Sequence, residues 1–348
     1  MTNATLPILR PMRMGELLDQ AIRLYRKNFF TFAGIIALVY VPVSLLPLLS
    51  SLLMYGSIEA AQLGQTDPAV LFNDAYLTGM ALNVFALLLQ FILIQGLGTA
   101  ALTRAVADNY LGQPVGVLKA YARIGRSWLH LLGALFLLGI LYIAAVLWTL
   151  VPCVGWISGP GLLVFLIMVV LPLVAPAVVI ERAGATGGLR RAWDLCRRRF
   201  WWMFGYILLL WLFSQLVVTG PSYLASFLVG LIGGEGGSFL GQGQMQTIAA
   251  TLITIIAGVL YTPLQLTAIT LAYFDTRVRT EGFDLALLTV EASGQAGVEA
   301  ASQAPVMKEP GRVLTWEDIG RFALISVGIV AIYFLITGVF MALAAAMV

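Results

Sequence analysis

The chain has 348 residues, 60% of them hydrophobic and only 11% charged, with a mean hydropathy of +0.93. Soluble domains carry about 25% charged residues, so a water-soluble fold of this composition would expose large apolar patches, a problem that a bilayer removes. The net charge of +3 is no nucleic-acid footprint, because the basic residues flank apolar stretches, where they act as orientation signals and contacts to anionic headgroups.

In chain order, a charged and mixed segment comes first, without the short apolar core and small-residue cleavage site of a signal peptide. Seven stretches then satisfy the roughly 20 apolar residues that a span requires: Phe29–Leu53, Thr78–Leu102, Leu129–Val151, Gly161–Ile180, Trp201–Val218, Thr247–Tyr273 and Phe322–Val348. The fold class expected is all-α, a polytopic membrane helical bundle.

Placing the N-terminus in the cytoplasm puts all 20 Lys and Arg on one side. Arg10, Arg13, Arg23, Arg26 and Lys27 precede the first span, and Arg104, Lys119, Arg123 and Arg126 follow the second. Arg182, Arg190, Arg191, Arg197, Arg198 and Arg199 follow the fourth, and Arg277, Arg279, Lys308, Arg312 and Arg321 follow the sixth. The other side carries only Glu59, Asp67, Asp74 and Glu235. The positive-inside rule therefore predicts an inner-membrane protein with its N-terminus inside and its C-terminus outside.

Between the spans, residues 54–77 form an outer loop and 152–160 a tight Pro/Gly turn. Tyr223–Ile232 is too short to span and is expected at the interface; the glycine run 233–237 lacks the Lys and Ser/Thr of a phosphate-binding loop and reads as a linker. Residues 286–314, rich in Ala, Gly, Ser, Gln, Glu and Pro, read as a disordered cytoplasmic linker. Thr315 with Asp318 then marks a helix N-terminus. The organisation expected is a six-span core over 1–285, a linker over 286–314 and a tethered seventh span over 315–348.

An internal repeat emerges when Ala21, Ala120 and Ala192 are aligned. Eight residues later stand Phe29, Trp128 and Phe200, and five further on Gly34, Gly133 and Gly205. In the first copy Leu17, Leu18, Ala21, Ile22, Tyr25 and Phe29 recur at spacings of three and four, with Glu16, Asp19, Arg23, Arg26 and Lys27 around much of the other face. That pattern predicts an amphipathic helix half-sunk in headgroups before each odd-numbered span. The even spans end alike, on Arg104 and Asp108, Glu181 and Arg182, and Asp275 and Arg277. The core is thus expected to be three units, each a surface helix and a two-span hairpin.

The span interiors contain no Asp, Glu, Lys, Arg or His, the residues that mark proton and ion pathways. Asn83, Gln90, Gln95, Ser214, Gln215 and Gln265 read as interhelical hydrogen-bonding groups, and Pro42, Pro47, Pro172, Pro176 and Pro263 as kinks. The single histidine, His130, reads as interfacial, and Cys153 and Cys196 as free thiols on opposite sides; no metal site or cofactor is expected. The acid–Arg groups at the even span ends read as interfacial ion pairs. Arg197, Arg198 and Arg199, followed by Phe200, Trp201 and Trp202, form the strongest headgroup candidate, joined by Arg23, Arg26, Lys27, Arg123 and Arg126. In the last span Gly338, Ala342 and Ala346 offer a close-packing helix face, toward the core or another chain.

Two segments carry a family resemblance. Leu9-Arg10-Pro11, Gly15-Glu16-Leu17-Leu18-Asp19, Ala21, Leu24-Tyr25-Arg26 and Asn28-Phe29 resemble the opening of bacterial glycerophosphoryl diester phosphodiesterase membrane-domain proteins. Tyr273-Phe274-Asp275, Arg277, Arg279 and Glu281-Gly282-Phe283-Asp284-Leu285 resemble that family's closing motif. The likeness brackets the six-span core. It implies a membrane domain without the soluble catalytic barrel, so no catalytic residue carries over. With 17 Arg to 3 Lys, it also points to a bacterium.

The function expected is a non-catalytic scaffold or accessory subunit that organises anionic lipids or a membrane-protein partner at the cytoplasmic face. A transporter or lipid-translocating protein is the alternative.

Overall fold

The computed structural model describes residues 10–62, 64, 67–68, 72–232, 242–291, 298–303 and 315–346. Among them every regular element is helical. In order they are α1 (Met14–Lys27), α2 (Phe29–Gln62), α3 (Asp74–Leu89), α4 (Thr99–Tyr110), α5 (Val117–Arg123), α6 (Ser127–Trp148), α7 (Val154–Phe165), α8 (Leu171–Glu181), α9 (Ala185–Arg198) and α10 (Phe200–Ser214). They continue with α11 (Gly220–Ile232), α12 (Gln242–Glu281), α13 (Phe283–Glu291), α14 (Val298–Gln303) and α15 (Trp316–Ala346). Three π-helical segments, Gln90–Gly98, Leu166–Val170 and Gln215–Thr219, join α3 to α4, α7 to α8 and α10 to α11.

Among the described residues seven helices are long and apolar enough to cross a membrane, at the places where the hydropathy put them: Phe29–Glu59, Asp74–Tyr110, Ser127–Trp148, Val154–Glu181, Phe200–Gly230, Gly243–Glu281 and Trp316–Val339. Several are longer than expected. The 37 residues of the second and 39 of the sixth reach about 55 and 58 Å at 1.5 Å per residue, against a hydrocarbon core of roughly 30 Å. Tyr223–Ile232, expected as a separate interfacial piece, instead continues the fifth span through the segment Gln215–Thr219.

The core lies where the even-numbered spans overrun. Ala100–Ala107 on α4, Leu173–Ile180 on α8 and Ala268–Phe274 on α12 are buried, and these three helices pack against one another. Around them α1 packs on α12, α5 on α4 and α9 on α8. Each of these short helices carries one of the aligned alanines, Ala21, Ala120 and Ala192, and all three are fully buried.

Protein covers part of the apolar face expected to meet headgroups: Leu17, Ala21, Ala120, Ala192 and Leu195 are buried, while Ile22 of α1 and Leu118 of α5 stay exposed. The Met12 N–H donates to Asp275 Oδ1 at 2.7 Å and the Tyr25 hydroxyl to the Leu260 carbonyl at 2.8 Å, so α1 runs antiparallel along α12. Gly188 lies against Val178 and the Cys196 thiol against the Val169 carbonyl, so α9 runs antiparallel along α8. An apolar helix stripe satisfies the hydrophobic effect equally on lipid or protein, and here the overrunning spans supply protein. The aligned glycines differ in their surroundings: a Cβ added at Gly34 meets Val117 at 3.3 Å, one at Gly133 meets Ala185 at 3.1 Å, and one at Gly205 meets nothing within 4 Å.

The prolines do not break the helices. α2 runs through Pro42 and Pro47, and α12 through Pro263. The irregular turns are the π segments instead. Leu166–Val170 precedes Pro172 and contains Met168, whose carbonyl the proline ring would otherwise strike. In the second span the Thr99 hydroxyl donates to the Ile94 carbonyl at 3.0 Å.

Within 286–314, residues 286–291 belong to α13 and 298–303 form α14, whose Val298, Ala300 and Ala301 are buried. A stretch expected to be disordered therefore supplies a small helix to the core; the rest of that stretch, and the glycine run 233–237, lie outside the described residues. α15 starts where expected: the Thr315 hydroxyl donates to Asp318 at 2.7 Å and the Asp318 N–H approaches it at 3.4 Å.

Candidate functional site

The polar chemistry of the described chain concentrates at the end of the bundle where the even-numbered spans terminate. Four clusters of charged side chains join elements distant in sequence.

The most buried lies between α8, α9 and α12. Arg191 donates through Nη1 and Nη2 to the two oxygens of Glu281 at 2.5 Å each, and through Nε to Glu181 at 2.9 Å. Burial alone would lower the Arg191 pKa, but the Glu281 hydrogen bonds and the charges of Glu181 and Glu281 outweigh it and raise it. Arg277, fully buried, donates to Glu281 at 3.2 Å and lies 3.5 Å from Glu181. Its Nη1 and Nη2 make no hydrogen bond; the guanidinium instead sits 4.1 Å from the Phe283 ring centroid, a cation–π contact that offsets part of the lost hydration. The Tyr273 hydroxyl donates to Glu181. Two carboxylates face two guanidiniums, and a tyrosine fills the remaining corner.

The second cluster centres on Asp275. It accepts from the Met12 N–H, from Arg199 at 2.7 Å and from Arg279 at 3.1 Å. Arg199 also lies over Trp202, 4.0 Å from its centroid. The third seats the last helix: Asp318 pairs with Arg197 at 2.6 Å and with Arg321 at 3.6 Å.

The fourth lies where α4, α5, α6 and α8 meet. Asp108 pairs with Arg104 at 3.3 Å and with Arg123 at 3.2 Å. Glu299 of α14 bridges Arg104 at 2.9 Å and Arg182 at 2.6 Å. Burial tends to raise the Glu299 pKa, but the Arg104 hydrogen bond and the charges of Arg104 and Arg182 outweigh it and hold the carboxyl below its ordinary value. A cavity of about 260 Å³ opens here, lined by Arg104, Arg123, Arg126, Arg182, Ser127 and His130 among others. A second, apolar cavity of about 620 Å³ runs between α6, α7 and α9, past Leu137, Leu141, Leu189 and Trp193, with Arg190 and Asp194 also in its wall.

The structure thus sorts the basic residues singled out in the sequence. Arg197, Arg199 and Arg123 are engaged in ion pairs within the protein, and Arg198 is half-buried beside them. Arg23, Arg26, Lys27 and Arg126 are exposed. Of the acid–Arg groups at the span ends, only Arg104 and Asp108 pair with each other. Glu181 pairs with Arg191 and Arg277, Arg182 with Glu299, and Asp275 with Arg199 and Arg279.

Sequence reasoning missed Glu281 and Glu299. Glu281 stands four residues after Arg277, a helix-pair signal; Glu299 sits in a stretch whose composition argues for disorder.

Within the chain Gly338 makes no close crossing, with nothing within 4 Å of an added Cβ. Ala342 and Ala346 belong to the same helix, and their side chains lie outside the described set. The close crossing is at Gly161 of α7, where an added Cβ would stand 1.9 Å from the Phe322 carbonyl oxygen.

Neither described cavity is lined by Asn83, Gln90 or Gln265. Cys153 is exposed and Cys196 buried, both as free thiols. Among the described residues no group of three or more His, Cys, Asp and Glu is placed to hold a metal ion.

Residues 12–276 match the model of a domain of unknown function, DUF7847, and the chain belongs to that family. No curated protein matches the chain, and no solved structure matches it.

Proposed function

We propose that this DUF7847 member is a non-catalytic scaffold or accessory subunit of a bacterial inner membrane, with its N-terminus in the cytoplasm and its C-terminus outside. The observation that carries this reading is the mutual engagement of the charged groups at one end of the bundle. Glu181, Glu281, Asp275, Asp108 and Asp318 each pair with arginines from other elements. Side chains so held form a rigid platform, and the exposed Arg23, Arg26, Lys27 and Arg126 give that platform a basic surface for anionic lipid or an acidic partner. Three units, each a short helix and a hairpin, form the core in this reading. Its support is that α5 packs on α4, α9 on α8 and α1 on α12, each on the even span of the preceding unit in cyclic order. The kinship to phosphodiesterase membrane domains belongs to the same proposal.

The test is reconstitution. Purified protein in proteoliposomes is expected to give no phosphodiester hydrolysis and no lipid or solute flux above empty vesicles, while protein isolated in its native lipids retains a stoichiometric partner or an enriched lipid. Robust turnover by the protein alone would sink the reading.

A second reading, a lipid-translocating protein, is favoured by the π segments in the second, fourth and fifth spans, since such wide turns recur at moving and functional positions. Lipid scrambling in the same vesicles would select it.

A further inference from the structure

We propose that the open cavity bordered by α4, the α5–α6 turn and the end of α8 binds a phosphate group, carried by a phospholipid headgroup or by free phosphate. This deepens the lipid side of the scaffold reading, but it stands on the cavity itself.

Charge is the first argument. Arg104, Arg123, Arg126 and Arg182 line the cavity. The carboxylates in contact with them are Asp108 and Glu299. Four guanidiniums against two carboxylates leave an excess of two positive charges around one small volume. A phosphate carrying one or two negative charges neutralises it. The neighbouring cluster shows what a completed junction looks like: there Arg191 and Arg277 face Glu181 and Glu281, and Tyr273 closes the space. At the α4–α5–α6 junction the carboxylates run short and a cavity stands open.

Donor chemistry is the second. Guanidiniums bind phosphate through paired N–H donors in a planar fork. Arg104, whose side chain is only 5% exposed, is held in place by Asp108 and Glu299, so its orientation is set before a ligand arrives. Gly125, with φ at +57°, turns the chain between Arg123 and Arg126, and both line the cavity. Ser127 opens α6, a helix of 22 residues, so the cavity lies at the positive end of its dipole. His130, one turn further along α6, also lines the cavity.

Place and size are the third. Ile124 and Val179 share the wall with the arginines, and beyond His130 α6 is wholly apolar. The cavity therefore sits at a polar–apolar boundary, the level of a headgroup phosphate. Its 260 Å³ holds several water volumes of about 30 Å³, room for a phosphate with one ester substituent.

The full chain in detergent micelles is titrated calorimetrically with inorganic phosphate and, separately, with dioctanoyl phosphatidylglycerol. Arg126→Gln is the first variant, because Arg126 makes no ion pair among the described residues; Arg182→Gln is the second, and Arg10→Gln, exposed ahead of α1 and away from the cavity, the control. At least one probe is expected to bind one-to-one. Each cavity variant is expected to weaken it about tenfold, the effect of one lost charge-assisted hydrogen bond, with Arg10→Gln unchanged and all thermal transitions preserved. Phosphate binding alone, or displacing the lipid, identifies free phosphate as sufficient; lipid binding without phosphate binding identifies a headgroup. Failure of both probes, or equal binding by wild type and both cavity variants, overturns the site. A positive flux assay that removed the scaffold reading would leave this result untouched.

Discussion

Gly161 of α7 and Phe322 of α15 meet where two helices cross closely enough to exclude any side chain on the glycine: an added Cβ would lie 1.9 Å from the Phe322 carbonyl oxygen. The Gly161 N–H donates to the Ser326 hydroxyl at 2.8 Å, and Phe165, Phe200 and Phe322 pack beside the crossing. The seventh span is therefore seated in the core, not merely tethered to it.

Gly161→Val should force this crossing apart. The expected loss is about 1–3 kcal/mol from overpacking, read by unfolding in mixed micelles, together with increased proteolysis near Thr315. Ser326→Ala should cost about 1 kcal/mol, the usual net value of one hydrogen bond. Wild-type stability in Gly161→Val would mean that the crossing is not closely packed in the membrane.

Arg191→Ala leaves Glu281 and Glu181 buried without their shared guanidinium. Breaking a buried ion pair from one side costs about 3–5 kcal/mol. Arg26→Ala, on the exposed face of α1, should lie within about 0.5 kcal/mol of wild type. Similar values for the two variants would show that the α8–α9–α12 cluster contributes little to holding the bundle together.

Glu299 gives a pH signature. Its folded pKa lies below the ordinary 4.5, so the unfolded chain binds its proton more readily. The stabilisation is thus fully present above that ordinary value and is lost as pH falls through the folded pKa. Because the side chain is 45% exposed, solvent screening keeps the effect small. The Tm difference between wild type and Glu299→Gln should be constant from pH 6 to 8 and shrink toward zero in acid. A difference that grew on acidification would contradict the pairing with Arg104 and Arg182.

The thiols test the orientation. Cys153 is exposed in the turn between the third and fourth spans, and Cys196 is buried in α9. A membrane-impermeant maleimide added to intact spheroplasts should label Cys153 without lysis, and Cys196 only after denaturation, because burial both hides that thiol and raises its pKa. Labelling of Cys153 only from the cytoplasmic side would invert the topology.

The spans were legible because a bilayer demands long apolar runs, and the start of α15 because Thr315 and Asp318 satisfy each other locally. Ala21, Ala120 and Ala192, aligned in the sequence, are all buried, each on a short helix packed against an even-numbered span. What buries them was not legible, since a helix with one apolar stripe reads the same whether lipid or protein covers it. The ion-pair partners were hidden for a different reason: Arg191 and Glu281 stand 90 residues apart, and nothing local to either names the other.

The sequence by itself determined the places of the long apolar helices and the grouping of every Lys and Arg outside the apolar runs, because hydropathy and charge act residue by residue against the bilayer. Only the tertiary structure decided that the even-numbered spans overrun and gather α1, α5 and α9 around them, and that Arg104, Arg123, Arg126 and Arg182 share one cavity while Arg197 and Arg199 turn inward. Such placements depend on which distant surfaces meet once the helices pack, and no local pattern encodes that meeting.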